Sequence, residues 1–155
     1  HVNMLQVNCT TLVQLTYLFL PQLKKQSQAY ILNIASSAAY QAVPYLSLYA
    51  GSKALVLQFS RGLRHELRRT NVSVTCISPG ATDTEFNDRA KVGPKALKAA
   101  KKIIMTPDAV GKVAIESMFK KKSEVVVGLV NKLGGFLSWL LPKKMVETTT
   151  ANLYE

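Results

Sequence analysis

The chain has 155 residues, of which 48% are hydrophobic, and it carries a formal charge of +11 at pH 7. This length and apolar content suffice for one hydrophobic core, which predicts one domain or part of one. The basic residues are scattered along the chain and are not interleaved with aromatic residues, which argues against a nucleic-acid-binding surface.

Other features of the sequence argue against a disulfide-bonded, metal-binding or secreted protein. Cys9 and Cys76 lie far apart in apolar segments without a Cys-x-x-Cys pattern, which predicts two reduced, buried thiols. His1 and His65 are isolated, so no metal site is expected. The apolar stretch 11–20 lacks a basic leader and a small-residue cleavage site, which favours a packed helix over a secretory signal. Together these features predict a cytoplasmic protein.

The first half of the chain alternates between helical and strand patterns. Apolar residues at helical spacing predict a helix from about Met4 to Gln26, which Pro21 kinks or ends. An apolar run predicts a buried strand from about Ala29 to Ala35, and a second helical pattern extends from about Leu46 to Thr70. The two helices are expected to bury Leu5, Leu12, Leu15, Leu18, Phe19, Leu55, Phe59, Leu63 and Leu67.

The second half continues the alternation. Residues Val72 to Ile77 predict a strand that ends in the turn Ser78-Pro79-Gly80, and Thr106-Pro107-Asp108 predicts the start of a helix that continues to about Lys120. Ser123 to Gly128 predicts a last strand. Because strands alternate with helices, we expect an α/β fold with a doubly wound parallel sheet.

Two segments of the second half do not fit that alternation. Residues Glu85 to Met105 predict a mobile lid with a short helix from Pro94, and its lysines include Lys91 and Lys102. Those lysines suit an anionic carrier or, more simply, a solvated face. Leu129 to Met145 is amphipathic and too short to span a bilayer, so we expect a pocket cover or subunit interface, with peripheral membrane contact as the second option.

Tyr49 and Lys53 are the residues most informative about chemistry, because they lie four residues apart in the run Tyr-Ala-Gly-Ser-Lys. In a helix this spacing places both side chains on one face. A phenol loses its proton near pH ~10, but a cation about 4 Å away favours the phenolate by roughly 4 kcal/mol at an effective dielectric of about 20. The pair predicts a general acid-base tyrosine, although a solvated helix surface shows the same spacing.

Ser36 lies thirteen residues before Tyr49, at the end of the first predicted strand. Ligands of open α/β sheets bind at the carboxyl ends of the strands, where the Pro79-Gly80 turn is also expected. Ser36 and its neighbour Ser37 are therefore candidate site residues, although a serine there can also simply terminate a strand.

Five features, in this order and at these separations, resemble the classical short-chain dehydrogenase/reductase family: Asn8, Ser36, Tyr49, Lys53 and the Pro79-Gly80 turn. The resemblance extends from about Val7 to about Gly128 and favours Ser36 over Ser37. It implies the later part of a Rossmann-like domain and an NAD(P)-dependent oxidoreductase acting on a carbonyl or alcohol.

The resemblance also implies a role for each catalytic residue. Tyr49 would donate a proton to the substrate oxygen, or remove it in the reverse direction. Lys53 would lower the pKa of Tyr49 and hydrogen-bond the nicotinamide ribose. Ser36 would donate a hydrogen bond to the substrate oxygen, and Asn8 would hold a water in a proton relay to Lys53.

Further contacts are implied for the cofactor, which is NAD or NADP, and for the substrate. The expected cofactor contacts are Tyr49, Lys53, Pro79, Gly80, Ala81, Thr82 and Thr84. The expected substrate contacts are Ser36, Ala38, Tyr45, Tyr49 and Phe86. Tyr40, Val43 and Tyr45 would line an apolar pocket near Tyr49, which is consistent with a lipid-like or aromatic carbonyl substrate.

The chain also departs from the family pattern. A glycine-rich turn of the form Thr-Gly-x-x-x-Gly-x-Gly and an Asn-Asn-Ala-Gly strand end are absent from the sequence, which begins at His1. We expect the C-terminal, catalytic part of a longer protein, forming homodimers or homotetramers through the helices that carry Asn8 and Tyr49. The alternative is a truncated, non-catalytic relative that acts by association with a partner subunit.

Overall fold

The structure, a computed structural model, describes residues 1–86, 90, 93–101 and 103–154. Within these residues, three parallel strands form one sheet in the order β1-β2-β3. They are β1 (Ala29–Ile34), β2 (Val72–Ser78) and β3 (Glu124–Val126). Parallel neighbours need crossover connections, and helices supply them. The α/β prediction with a parallel sheet is therefore confirmed, although β3 is shorter than the predicted strand.

The register of the sheet places the ends of β1 and β2 side by side. Ala29 lies opposite Val72 at one end, and Ile34 lies opposite Ile77 at the other. The residues that follow, from Ala35 and from Pro79, therefore leave the sheet at the same edge, and the Ser37 N–H donates to the Pro79 carbonyl oxygen at 2.7 Å. This edge is where ligands of such sheets bind.

The first helical segment has three parts: α1 (Val2–Leu5), a π-helical stretch (Gln6–Thr11) and α2 (Leu12–Leu23). It begins earlier and ends earlier than the predicted helix, and Pro21 lies inside its last turns. The π-helical stretch carries Asn8, and such wide turns are frequent at functional sites.

The buried face of this segment differs from the prediction. Thr16 is buried, its Oγ1 donates to the Leu12 carbonyl oxygen at 2.8 Å, and Leu12, Leu20 and Leu23 pack against the core. The other predicted core residues are exposed: Leu5, Leu15, Leu18 and Phe19. The prediction for those four was wrong because the helix is apolar on more than one side, and spacing alone does not say which side meets the sheet.

Helix α3 (Ser47–Glu66) carries Tyr49 and Lys53 and packs on one face of the sheet. Its most buried side chains are Val56, Leu57 and Leu63. Leu55, which was expected in the core, is 44% exposed, because the face toward β2 passes through the two residues after it. The helix ends four residues before the predicted Thr70, with Leu67 as its C-cap.

Two further helices follow β2. Helix α4 (Pro94–Ala100) confirms the short helix predicted from Pro94, and α5 (Pro107–Phe119) covers the other face of the sheet. The Thr106 hydroxyl accepts from the Ala109 N–H at 3.3 Å, which confirms the predicted N-cap. Lys91 and Lys102 of the predicted lid lie outside the described residues.

The C-terminal segment forms two helices, α6 (Leu129–Leu140) and α7 (Lys143–Tyr154). The sequence predicted one amphipathic segment ending near Met145, but the chain turns at Leu141 and Pro142, and a second helix continues to Tyr154. Over the described ranges, no helix combines the length and the apolar character that a bilayer crossing requires.

Candidate active site

A cavity of about 270 Å³ opens at the carboxyl edge of β1 and β2. All of the predicted catalytic residues, cofactor contacts and substrate contacts line this cavity except Asn8 and Tyr45. Its lining residues are Ile34, Ala35, Ser36, Ser37, Ala38, Leu46, Tyr49, Lys53, Pro79, Gly80, Ala81, Thr82, Thr84, Phe86, Ala96, Ala100 and Tyr154.

Ser36 and Tyr49 are brought together in this cavity. Both side chains line it, although they come from different elements, and the Ser36 hydroxyl acts to lower the pKa of the Tyr49 phenol. Ser36 is the second residue after the end of β1 and caps a short 3-10 helix (Ser37–Tyr40), where its Oγ accepts from the Ala38 N–H at 3.1 Å. The cap fixes the direction of the Ser36 side chain, and α3 supplies Tyr49 from the facing wall.

The electrostatics of Tyr49 differ from the sequence expectation. Burial raises the pKa of the Tyr49 phenol above 10.0, and the hydrogen bond from Ser36 only partly offsets this rise. The predicted decrease caused by Lys53 is wrong for this arrangement. The Lys53 Nζ lies 6.0 Å from the centroid of the Tyr49 ring and donates to the Ile34 carbonyl oxygen at 3.0 Å. Burial also lowers the pKa of Lys53 itself.

Asn8 lies behind the cavity wall. Its Nδ2 donates to the Ser52 Oγ at 3.1 Å, and that Oγ donates in turn to the Tyr49 carbonyl oxygen at 2.7 Å. Asn8 is therefore linked to the turn of α3 that carries Tyr49 and Lys53, and it does not line the cavity.

The turn after β2 forms the floor of the cavity. A Cβ at Gly80 would overlap the Asn131 side chain, so a larger residue here would displace the Asn131 amide, whose Nδ2 donates to the Val127 carbonyl oxygen at 2.7 Å. Thr82 donates to the Gly80 carbonyl oxygen at 3.1 Å, and the Thr84 hydroxyl accepts from the Phe86 N–H at 3.3 Å.

The predicted substrate contacts divide into two groups. Ala38 and Phe86 line the cavity, and the Phe86 ring centroid lies 4.7 Å from that of Tyr49. Tyr45 does not line it: this residue is 66% exposed and has a φ of 67° at the start of α3. Tyr40 also points elsewhere, toward Glu124, whereas Val43 lines a neighbouring cavity.

Sequence reasoning did not name six of the lining residues as site residues: Ile34, Ala35, Leu46, Ala96, Ala100 and Tyr154. Burial raises the pKa of Tyr154, with a smaller contribution from the nearby Tyr49. The start of α7 had one usable signal in Pro142, which suits a helix start. Nothing local in the sequence indicated that α7 would fold back to this edge.

A polar cluster fixes the backbone that follows Ser36. The Tyr40 hydroxyl donates to Glu124 Oε1 at 2.6 Å, and Arg61 holds the same carboxylate through Nε at 2.7 Å and through a second nitrogen at 2.9 Å. Burial acts to raise the pKa of Glu124, but the hydrogen bonds from Arg61 and Tyr40 hold it below the ordinary 4.5. This cluster joins the 3-10 helix, α3 and β3.

The buried thiols and possible metal ligands have no part in the cavity lining. Cys9 and Cys76 are unpaired and buried, as the sequence predicted. Among the side chains that the structure describes, His, Cys, Asp and Glu form no group of three that could hold a metal ion.

Comparison with known proteins fits this arrangement. The family model for the short chain dehydrogenases matches residues 2–94, which span the sheet edge, Ser36, Tyr49 and Lys53. The chain belongs to the short-chain dehydrogenase family. This family portion ends at the start of α4, and the helices α5 to α7 lie beyond it.

Three relatives illustrate the similarity. The serine 3-dehydrogenase of Agrobacterium fabrum is 44% identical over 86 residues, which are 54% of this chain and 33% of that protein. A short-chain dehydrogenase from Sphingobium yanoikuyae in complex with NADPH has a TM-score of 0.67 at 25% identity, covering 88% of this chain and 54% of that one. A Burkholderia phymatum member in complex with NAD has a TM-score of 0.73 at 21% identity, covering 86% and 55%.

The chain spans about a third to a half of the length of these relatives.

Proposed function

We propose that this chain is the catalytic portion of an NAD- or NADP-dependent oxidoreductase that interconverts a carbonyl compound and an alcohol. The observation that carries the proposal is that Ser36, Tyr49 and Lys53 line one cavity at the carboxyl edge of the sheet. The activity is that of the whole protein, of which this chain supplies the acid-base groups.

Tyr49 is the proposed proton donor and acceptor. Because burial raises its pKa, the phenol is protonated near neutral pH and can donate to a substrate oxygen in the reductive direction. In the oxidative direction the same oxygen takes the proton back. The Ser36 hydroxyl, adjacent to the Tyr49 hydroxyl, stabilises negative charge as it develops on the substrate oxygen.

Lys53 and Asn8 support this proton transfer in the proposal. An ammonium group has three N–H donors, and the described bond to the Ile34 carbonyl oxygen uses one of them. Lys53 is therefore equipped to bind a ribose hydroxyl as well. Asn8 holds a water that connects Lys53 to solvent, and its bond to Ser52 fixes the amide for this role.

The cavity fits one end of a nicotinamide dinucleotide. Hydroxyl and ammonium donors of Tyr49, Lys53, Thr82 and Thr84 surround it, and the Pro79 to Ala81 backbone passes along its floor. When bound, the dinucleotide supplies hydride to the substrate carbon or accepts it. A volume of about 270 Å³ is too small for the whole dinucleotide, so other parts of the protein must bind the remainder.

The substrate in this proposal is a small molecule with an apolar body. Phe86 and the alanines at 38, 96 and 100 line the cavity around Tyr49, and they give its walls beyond the catalytic groups an apolar character. The predicted lid over 85–105 is part of this proposal: Phe86 and α4 cover the substrate.

Self-association is proposed through the first helical segment. Leu15, Leu18 and Phe19 of α2 are 46%, 68% and 54% exposed, which is a large apolar surface on one helix. A homodimer or homotetramer would bury it. Leu18→Glu should shift the mass measured by light scattering toward the monomer, whereas Leu133→Glu on α6 should not. An unchanged mass in Leu18→Glu would exclude this interface.

The segment 129–145 is proposed to cover the substrate site, with peripheral membrane contact as the second option. Leu137 and Leu141 line a cavity and are 38% and 37% exposed, whereas Phe136 and Trp139 are 56% and 73% exposed. Co-sedimentation with anionic vesicles separates the two options, because only peripheral membrane contact would bind the protein to the vesicles through the exposed Phe136 and Trp139 rings. The cytoplasmic location expected from the sequence stays a prediction.

Two measurements test the proposed function. NADH- and NADPH-dependent reduction of a panel of ketones and aldehydes by the protein purified from its source should show turnover. The intact mass of that protein should exceed the 17.0 kDa of this chain, because the remainder of the dinucleotide needs further residues. A mass of 17.0 kDa together with no dinucleotide binding would favour the non-catalytic relative.

A further inference from the structure

A second cavity, of about 400 Å³, lies between the chain after the 3-10 helix and the helices α6 and α7. We call it the apolar chamber and define it by its apolar walls, which are Val43, Leu137, Leu141, Met145, Val146 and Leu153. Its volume lies within the range of about 300–1,000 Å³ that small-molecule sites occupy.

The polar side chains of the apolar chamber are largely bonded within the protein. Ser138 donates to the Gly135 carbonyl oxygen at 2.8 Å, Asn131 donates to the Val127 carbonyl oxygen at 2.7 Å, and Gln41 donates to the Thr150 hydroxyl at 3.3 Å. Among the described residues that line the chamber, none is charged. The chamber therefore offers a charged ligand no ionic partner, whereas it offers a hydrocarbon apolar contacts, although Leu137, Leu141, Met145 and Leu153 are 37–56% exposed.

The apolar chamber adjoins the catalytic cavity. Ser37, Ala38 and Tyr154 line both, and the first two directly follow Ser36. A molecule whose oxygen lies between Ser36 and Tyr49 therefore has only this shared wall between its reacting carbon and the chamber. The Tyr154 ring, at the end of α7, forms part of that wall.

We propose that the apolar chamber binds the hydrocarbon tail of the substrate, so that the substrate is a carbonyl compound or alcohol with an unbranched apolar chain. This inference rests on the proposed function and specifies its substrate class. Tyr154, which lines both cavities, is the proposed specificity-determining residue between the reacting carbon and the tail. The region that the family model matches includes Val43 but ends before α6 and α7, so the chamber walls that these two helices supply lie outside the matched region.

Chain length is the variable that tests the proposal. Each methylene buried in an apolar site contributes about a fourfold gain in transition-state binding. With straight-chain 2-ketones from butanone to dodecanone, kcat/KM should rise by up to about fourfold per added methylene and then level off when the chamber is full. A value of kcat/KM that is independent of chain length, in a protein that reduces butanone, would overturn the inference and leave the proposed function intact.

A matched pair of variants locates the effect. Val146→Phe places a ring in the chamber from α7, and Thr148→Phe places the same ring on an exposed position of that helix, outside the chamber. Val146→Phe should lower kcat/KM for the longest ketones by at least about tenfold and leave that for butanone unchanged. Equal effects of the two variants would contradict the proposal.

A binding measurement keeps the inference testable without turnover. The neutral fluorophore N-phenyl-1-naphthylamine should bind the protein with increased emission, and 2-undecanone should displace it. Binding should be weaker in Val146→Phe than in Thr148→Phe. If the fluorophore binds both variants equally, or if the ketone does not displace it, the apolar chamber does not take hydrocarbon chains, whatever the outcome for catalysis.

Discussion

At the scale of single residues, Tyr49 and Lys53 illustrate how spacing and burial compete. Their four-residue spacing correctly predicted that the two side chains lie on one side of α3, where both line the same cavity. It did not predict the protonation equilibrium, because the Lys53 ammonium bonds the Ile34 carbonyl oxygen and burial dominates the pKa of both groups. Spacing fixes where side chains meet, whereas the pKa depends on solvent exclusion by the whole fold.

Lys53 should be needed for both binding and turnover. Lys53→Met removes an ammonium whose hydrogen bonds to polar ligands are worth about 1.5–3 kcal/mol each, so the Kd of NADH or NADPH should rise by about tenfold or more. Fluorescence titration of the nicotinamide measures this, with Lys112→Met on α5 as the control. A Kd that is equal in both variants would remove Lys53 from the proposed cofactor contacts.

At the scale of elements, local signals predicted order and type better than orientation. The sequence places β1, α3, β2 and α5 close to where the structure has them, because apolar periodicity and the Thr106 cap are local. The exposed Leu18 and Leu55 were misassigned, since helix orientation depends on which neighbour covers each side. The site residue Tyr154 was missed for a related reason, because its position depends on how α7 folds back.

Thr75 in the middle of β2 offers a test of core packing. Its side chain is 1% exposed, and its hydroxyl is the buried side-chain group without a hydrogen-bond partner among the described residues. Thr75→Val keeps the shape and removes the unpaired hydroxyl, so the free energy of unfolding should rise by about 1 kcal/mol, or about 2–4 °C in Tm. Thermal denaturation measures the change, with Thr148→Val as the exposed control, and a decrease in Tm would contradict the packing.

Glu124 connects three elements, and its contribution should depend on pH. Glu124→Gln should lower the free energy of unfolding by about 1 kcal/mol at neutral pH. This value is small because Arg61 is partly exposed, so solvent screens its interaction with the Glu124 carboxylate. Because the folded pKa of Glu124 lies below 4.5, its contribution is present above pH 4.5 and is lost as the pH falls through the folded pKa.

Denaturant unfolding at several pH values measures this dependence. The difference between wild type and Glu124→Gln should shrink below pH 4.5, and Glu116→Gln, which removes only an exposed ion pair with Lys120, should show little effect at any pH. A constant difference down to strongly acidic pH would show that the carboxylate charge is not what stabilises the cluster.

At the scale of the whole molecule, the chain combines the proposed acid-base residues with one side of the proposed cofactor cavity. Ser36, Tyr49 and Lys53 converge although 17 residues separate the first from the last, and the family resemblance allowed this set to be predicted from order and spacing. The apolar chamber could not be predicted in the same way. Its walls come from Val43 and from the two C-terminal helices, which meet only in the folded chain.

The most direct test of the account is the turnover of Tyr49→Phe. With the purified protein, NADH or NADPH, and the best carbonyl substrate of the panel, loss of the phenol hydroxyl should reduce kcat by at least about 100-fold, with cofactor affinity largely retained. Tyr17→Phe, which removes a hydroxyl from the exposed face of α2, should retain wild-type kcat. A Tyr49→Phe variant with wild-type kcat would contradict the assignment of this cavity as the active site.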